Sequence, residues 1–218
     1  MSHTVHPYAH RLGIIRDWRS RWFSRGDSYR HQLRADVLLR EYLTKRLRGF
    51  YVSAIEVERG TNTLRVIIKT TRPGMIIGRS GEGAVKLKND ALQFLRRAKI
   101  LAYAANLKID IEEVRSPESN AAIVAFMVAD GLEKRQPFRR VLKQTVEKVM
   151  ANRDAIGVRI KLSGRLGGAD MAREEELRQG RIPLQTFRAD VDFARIKAKI
   201  PQGDIGIKVW IYRGDIFE

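Results

Sequence analysis

The chain has 218 residues, no cysteine, and 42 Lys and Arg against 25 Asp and Glu, giving a formal charge of +17 at pH 7. That composition excludes a disulfide framework and a thiolate zinc site, and it points to an anionic partner, with RNA or DNA ahead of a membrane. The longest apolar run, Ala121 to Ala129, is far below the ~18 residues of a spanning helix, and Met1 to Arg16 has no signal-peptide core. A soluble, unsecreted, cytoplasmic protein with room for two α+β domains is expected.

Residues 1–27 read as an N-terminal arm facing RNA. Arg11, Arg16, Arg19, Arg21 and Arg25 are interleaved with Trp18, Trp22 and Phe23, which suits a segment that pairs with phosphates and stacks on exposed bases. The same tryptophans also suit a second role, as anchors in a core. His3, His6 and His10 have neither cysteine nor a carboxylate cluster beside them, so they are read as solvated or RNA-facing, with no metal.

Residues 28–115 read as one domain. Ser28 to Leu47 repeats apolar residues at Leu33, Val37, Leu38, Tyr42 and Leu47, with Gly49 placed where a helix stops. Ile55 to Arg59 alternates as a strand, Gly60 to Asn62 turns, and Thr63 to Thr70 continues as a second strand of a hairpin. Ala84 to Ala98 reads as a helix with Val85, Leu87, Ala91, Leu92, Phe94 and Leu95 inward, and Leu107 to Val114 as a third strand. Between strand and helix lies the stretch Arg72-Pro-Gly-Met-Ile-Ile-Gly-Arg-Ser-Gly-Glu-Gly83.

Its glycine spacing decides among several kinds of phosphate loop. No Gly-Lys-Ser/Thr follows, so the lysine and hydroxyl of a nucleotide hydrolase are missing, and the dinucleotide fingerprint is inverted. Gly78, Arg79, Ser80 and Gly81 instead form a G-x-x-G, the clamp by which a KH domain grips about four nucleotides of backbone. The order helix, strand, strand, Gly-loop, helix, strand is the type II KH arrangement.

Residues 116–218 read as a second domain, two helices on a mostly antiparallel sheet. Ser116-Pro117 breaks the chain, Ser119 to Glu133 is an apolar helix, and Phe138 to Ala151 is amphipathic with Phe138, Val141, Leu142, Val146, Val149 and Met150 inward. Arg139, Arg140 and Lys143 gather on another side, with Glu147 nearby, and mark a phosphate contact rather than a plain solvated face. Gly157 to Ser163 alternates as a strand, Asp170 to Gln179 reads as a short acidic helix ended by Gly180, and a bend or bulge is expected near Thr186 and Phe187. Ile205 to Ile211 supplies a final strand after the turn Pro201 to Asp204. Asp190 and Asp192 share a strand face but lack a paired base or metal ligand, so a nuclease is poorly supported and no catalytic residue or cofactor is expected.

Taken together, Val5-His-Pro7 with Arg11-Leu-Gly-Ile14, Trp18, Trp22-Phe23, Arg72-Pro-Gly74 with Ile77-Gly78, Phe138-Arg-Arg140, Ser163-Gly-Arg-Leu-Gly-Gly168, Pro183-Leu184, Arg188-Ala-Asp190 and Ile205-Gly-Ile-Lys-Val-Trp-Ile211 resemble the bacterial-type family of small-subunit ribosomal protein number three. The resemblance spans nearly the whole chain. It implies a structural constituent of the small-subunit head that binds small-subunit rRNA, lies beside the head proteins numbered ten and fourteen, and contacts mRNA where it enters the subunit. Matched residue by residue, the family's entrance cations fall on Arg139, Arg140 and Lys143, where phosphate contacts would guide a single strand and aid passive unwinding. The candidate rRNA contacts are Arg11, Arg16, Trp18, Trp22, Arg25, Arg165 and Arg173. The chain departs from the family at Arg79-Ser80, where two lysines are common, at the turn Lys199 to Gly203, and at Gln185 and Phe187. A free KH-domain regulator of mRNA is the competing reading.

Overall fold

The computed structural model describes residues 5–60, 63–98 and 106–217. His3 and two residues of the expected turn, Thr61 and Asn62, lie outside them. The described residues fall into two compact units, one of residues 18–115 and the other of residues 5–17 together with 116–217. The expected arm is therefore divided at Asp17, and a short helix, α1 (Pro7–His10), belongs to the second unit.

In the first unit a four-stranded sheet runs in the order β1 (Ser20–Arg21), β2 (Val52–Arg59), β3 (Leu64–Thr70), β4 (Leu107–Glu113). β2 and β3 form the antiparallel hairpin, and β4 joins β3 in parallel. A parallel partner needs a crossover, and the chain supplies one through α3 (Pro73–Ile77) and α4 (Glu82–Arg97). The long helix α2 (Gly26–Arg46) packs with them, and Leu39, Leu43, Val66, Ile68, Leu87, Ala91, Leu95 and Leu107 close the core.

The inward side of α2 differs from the expected one. Ala35, Asp36, Leu39 and Leu43 are buried, whereas Leu33 and Val37 lie outward with Tyr29. The helix turns this way because Asp36 is needed inside: its carboxylate accepts from the Trp22 indole N–H at 2.7 Å and from the Arg59 guanidinium. Burying a carboxylate is tolerated when it is paired and hydrogen-bonded like this.

In the second unit, α5 (Ala121–Glu133) and α6 (Phe138–Ala151) cover an antiparallel sheet made of β5 (Gly157–Gly164), β6 (Arg173–Gly180), β7 (Ala189–Ile200) and β8 (Gly203–Asp215), ordered β6-β5-β8-β7. Asn120 caps α5, its side-chain oxygen accepting from Ala122 and Ile123 N–H. The sheet's alternating residues Val158, Ile160, Leu162, Ile207, Val209 and Ile211 meet Val124, Val128, Val141, Val146 and Val149 of the helices.

The acidic helix expected over Asp170 to Gln179 is instead the edge strand β6. Its glutamates pair diagonally with cations of β5: Glu176, opposite Lys161, reaches Arg159 at 2.5 Å, and Glu174, opposite Ser163, reaches Lys161 at 2.6 Å, while Leu177 packs on the core. Cross-strand charge pairs and one inward leucine outweigh the weak helix preference of a Glu run, and the charged edge also deters pairing with other chains. The expected irregularity near Thr186 and Phe187 is a turn closed by Ala189 N–H to Thr186 C=O at 3.3 Å, and the bulge falls between Ala189 and Val191.

Gly157 sits where β5 meets the end of β6, and a Cβ there would lie 1.9 Å from the Arg181 carbonyl oxygen. Gly157→Ala should destabilise the second unit by roughly 1–3 kcal/mol, the range of an overpacked site, and should raise amide exchange in Arg173–Gly180 first. Unchanged protection of that strand would show that the edge pairing does not depend on the close approach.

Candidate nucleic-acid interface

Cations in the first unit divide into two populations. On the outer face of the sheet they are neutralised: Arg21 pairs with Glu56 and Glu58, Lys69 with Glu56 and Glu112, and Arg65 with Glu58 and Asp110. Arg65 is accordingly held above the usual arginine value, chiefly by its hydrogen bond to Asp110, and Glu58 below the usual carboxylate range, chiefly by Arg21. Around the Gly-loop, Arg79, Lys86 and Lys88 are exposed and make no ion pair with a described residue. Their uncompensated charge gives the surroundings of the loop a positive potential.

The loop has the shape that potential needs. Gly78 has φ 71° and ψ −173°, Ser80 φ 51° and Gly81 φ 83°, so the chain makes a left-handed step between α3 and α4. No side chain caps α4, which leaves the amide N–H groups of its first turn available to an anion. Glu82 opens the helix and offsets part of that charge.

In the second unit the expected cluster lies on the outward side of α6. Arg139, Arg140 and Lys143 are all exposed. Arg139 reaches Glu175 at 3.5 Å and lies over the Phe138 ring, while Arg140 and Lys143 make no ion pair or side-chain hydrogen bond with any described residue. Glu147, the nearby anion in the sequence, does not pair with them.

The seven candidate rRNA residues separate once their partners are known. Arg11 is fully buried and donates five hydrogen bonds to backbone carbonyls, those of Ala189, Pro7, Pro183, Leu184 and Thr186. Burial pulls its guanidinium below the usual arginine value against the opposing pull of Asp190, and a group so enclosed has no approach for a phosphate. This corrects the reading of Arg11 as a surface contact. Arg16 is half-buried on Asp190, and Trp22 is held by Asp36. Arg165 donates to the carbonyls of Ala169 and Gln202 and to Asp170. Arg173 pairs with Glu175 at 3.5 Å. Trp18, 61% exposed, and Arg25 present themselves outward.

Two carboxylates weighed as catalytic have structural partners. Asp190 pairs with Arg16 and Arg213, and Asp192 accepts from Ala121 N–H at 2.9 Å and from Arg213 at 3.1 Å. Among the described residues no group of three His, Asp or Glu is placed to hold a metal, and no helix is long and apolar enough to cross a membrane.

The two units correspond to known families. Residues 38–119 match the KH domain, and residues 128–211 match the C-terminal domain of ribosomal protein S3. Small ribosomal subunit protein uS3 of Alcanivorax borkumensis is 44% identical over 216 residues, covering 99% of this chain and 90% of that protein. The uS3 proteins of Syntrophomonas wolfei and Coxiella burnetii are 44% and 42% identical, each aligned over 99% of this chain and 91% of its own length. At that identity over the whole length, the chain belongs to the uS3 family of small ribosomal subunit proteins, structural components and not enzymes.

Proposed function

We propose that this protein is a structural constituent of the small-subunit head that holds small-subunit rRNA and guides mRNA at the entrance to the subunit. The observation that carries the proposal is the exposed pair Arg140 and Lys143, which lie beside Arg139 on one side of α6 and make no ion pair with any described residue, in a chain with a formal charge of +17. Phosphates of a single strand are the counter-charges that such a row fits. Strand guidance of this kind needs no nucleotide, and an energy-independent clamp can still favour the unpaired form of RNA by binding it as it opens.

For rRNA, Trp18 and Arg25 offer stacking and phosphate contacts, Arg165 and Arg173 stand on the second unit, and Arg16 and Trp22 shape the segments that carry them. The neighbouring head proteins numbered ten and fourteen suit the exposed stripe Tyr29, Leu33 and Val37 on α2, whose i, i+4, i+8 spacing presents one apolar line. The setting is the cytoplasm, where ribosomes of this type work.

Co-sedimentation tests the assignment against a free KH regulator. The protein should remain with small subunits through a high-salt wash, and recovery in ribosome-free fractions alone would overturn the proposal. The Gly-loop is expected to supply backbone affinity. Arg79→Asp with Ser80→Asp places carboxylates at exposed positions, one of them left-handed and tolerant of Asp, so single-strand affinity should fall by at least tenfold with an unchanged melting temperature. Unaltered affinity would remove the loop from RNA binding.

A further inference from the structure

Beside the cations of α6 lies a groove of about 240 Å³. It is lined by the apolar Leu132, Phe138, Ile200 and Ile205, by Gly167 and Gly168, and by Arg135 and Arg165. The volume is below the ~300–1,000 Å³ of a drug-sized pocket, so it suits one flat group rather than a whole cofactor.

Three independent features make it a site for a planar group flanked by an anion. Phe138 is half-buried, with the guanidinium carbons of Arg139 and Arg173 at 5.6 and 5.5 Å from its ring centroid. Arg165 is fixed in place by Ala169 C=O at 2.8 Å, Gln202 C=O at 3.3 Å and Asp170 at 3.3 Å, so its flat guanidinium is held in the wall before any ligand arrives. The third feature is backbone strain. α5 ends with Arg135 N–H on Leu132 C=O and Gln136 N–H on Gly131 C=O, which puts Arg135 at φ 60° in the position that glycine usually takes. A bulky residue there stores strain, and strain of this kind clusters at binding sites. Here it holds an exposed arginine, without an ion pair to any described residue, in the lining of the groove. Arg135 and Arg165 thus line the groove and Arg139 and Arg173 lie against its Phe138, with Asp170 paired to Arg165 and Glu175 to Arg139 and Arg173.

We infer that the groove takes one unstacked base of the single-stranded RNA whose phosphates follow Arg139, Arg140 and Lys143, with Phe138 as the stacking surface and Arg135 on the flanking phosphate. The inference rests on the strand path proposed above. Extracting a base at this point would give the protein a hold on RNA that a paired strand cannot offer, since paired bases are not free to enter.

The test uses the full-length chain carrying Arg79→Asp and Ser80→Asp, so that the second unit is the reader. Binding of a uridylate decamer is compared with that of an abasic decamer carrying the same phosphates. The intact decamer should bind more tightly by roughly 5- to 150-fold, the range for one stacked base. Phe138→Leu, which keeps an apolar side chain on the core, should abolish most of that ratio without altering the salt dependence. Equal binding of the two decamers, or a ratio that survives Phe138→Leu in a protein of unchanged melting temperature, overturns the pocket. Micromolar binding of free uridine monophosphate would overturn it as well, by marking a mononucleotide site. Arg140→Ala with Lys143→Ala separates the two proposals: a flattened salt dependence beside an absent base effect refutes only the pocket, and an unaltered salt dependence refutes the strand path itself.

Discussion

Arg11→Ala is expected to cost the second unit roughly 3–5 kcal/mol, the scale of a removed partner in a buried charged network. The guanidinium is fully enclosed and ties α1, the stretch Pro183 to Thr186 and the start of β7 into one knot. Each carbonyl left buried without a donor costs about 1–3 kcal/mol, with water recovering a part. Lysine should rescue less than half of the loss, because one ammonium with three N–H groups cannot span acceptors that a planar fork reaches together. Chemical denaturation of the purified chain gives the stability, and limited trypsin digestion reports whether Arg16 becomes accessible. A variant that unfolds at the wild-type midpoint with Arg16 still protected would mean that the knot is held by its apolar contacts, such as the stacking of His10 on Phe187 at 4.3 Å.

Arg139→Ala, Arg140→Ala and Lys143→Ala together should leave folding intact, because Val141, Leu142, Val146 and Val149 carry the buried side of α6. The change should appear in how messenger binding depends on salt. Each phosphate contact to a single strand contributes roughly 0.7 to the log–log slope, so three lost contacts flatten it by about two units. Arg139 shares its charge with Glu175, so most of the flattening should remain in the double variant of Arg140 and Lys143. Ribosomes carrying the triple variant should also slow at stable hairpins in the message. Wild-type speed through hairpins together with an unaltered slope would reduce the cluster to a solvated face.

How far these features could be read from sequence depends on where their partners lie. The outward position of Arg139, Arg140 and Lys143 follows from the apolar spacing of their own helix, a relation of three and four residues, and α6 begins and ends where that spacing places it. The strand β6 fails the same kind of reading because its evidence is on another strand: a run of glutamates looks helical until Arg159 and Lys161 of β5 come within diagonal reach of Glu176 and Glu174. The rotation of α2 has a similar cause, since Asp36 faces inward only because Trp22 and Arg59 wait there. Arg11 was recognisable as part of a motif, but its partners are backbone carbonyls, which leave no signature of residue type. Arg135 did carry a local signal, the absence of glycine at the end of α5, that periodicity alone does not weigh.

The division of the chain into residues 18–115 and a unit that needs both 5–17 and 116–217 has a consequence for biosynthesis. Arg11 is made 178 positions before Ala189, whose carbonyl it must bond. At about 5–20 residues per second the delay is roughly 10–35 s, long enough for the inserted KH unit to fold while the basic segment ahead of it has no seat. The N-terminal segment is thus born first and docked last, so a nascent chain halted before Pro183 would carry a finished KH unit and an unanchored, arginine-bearing leader.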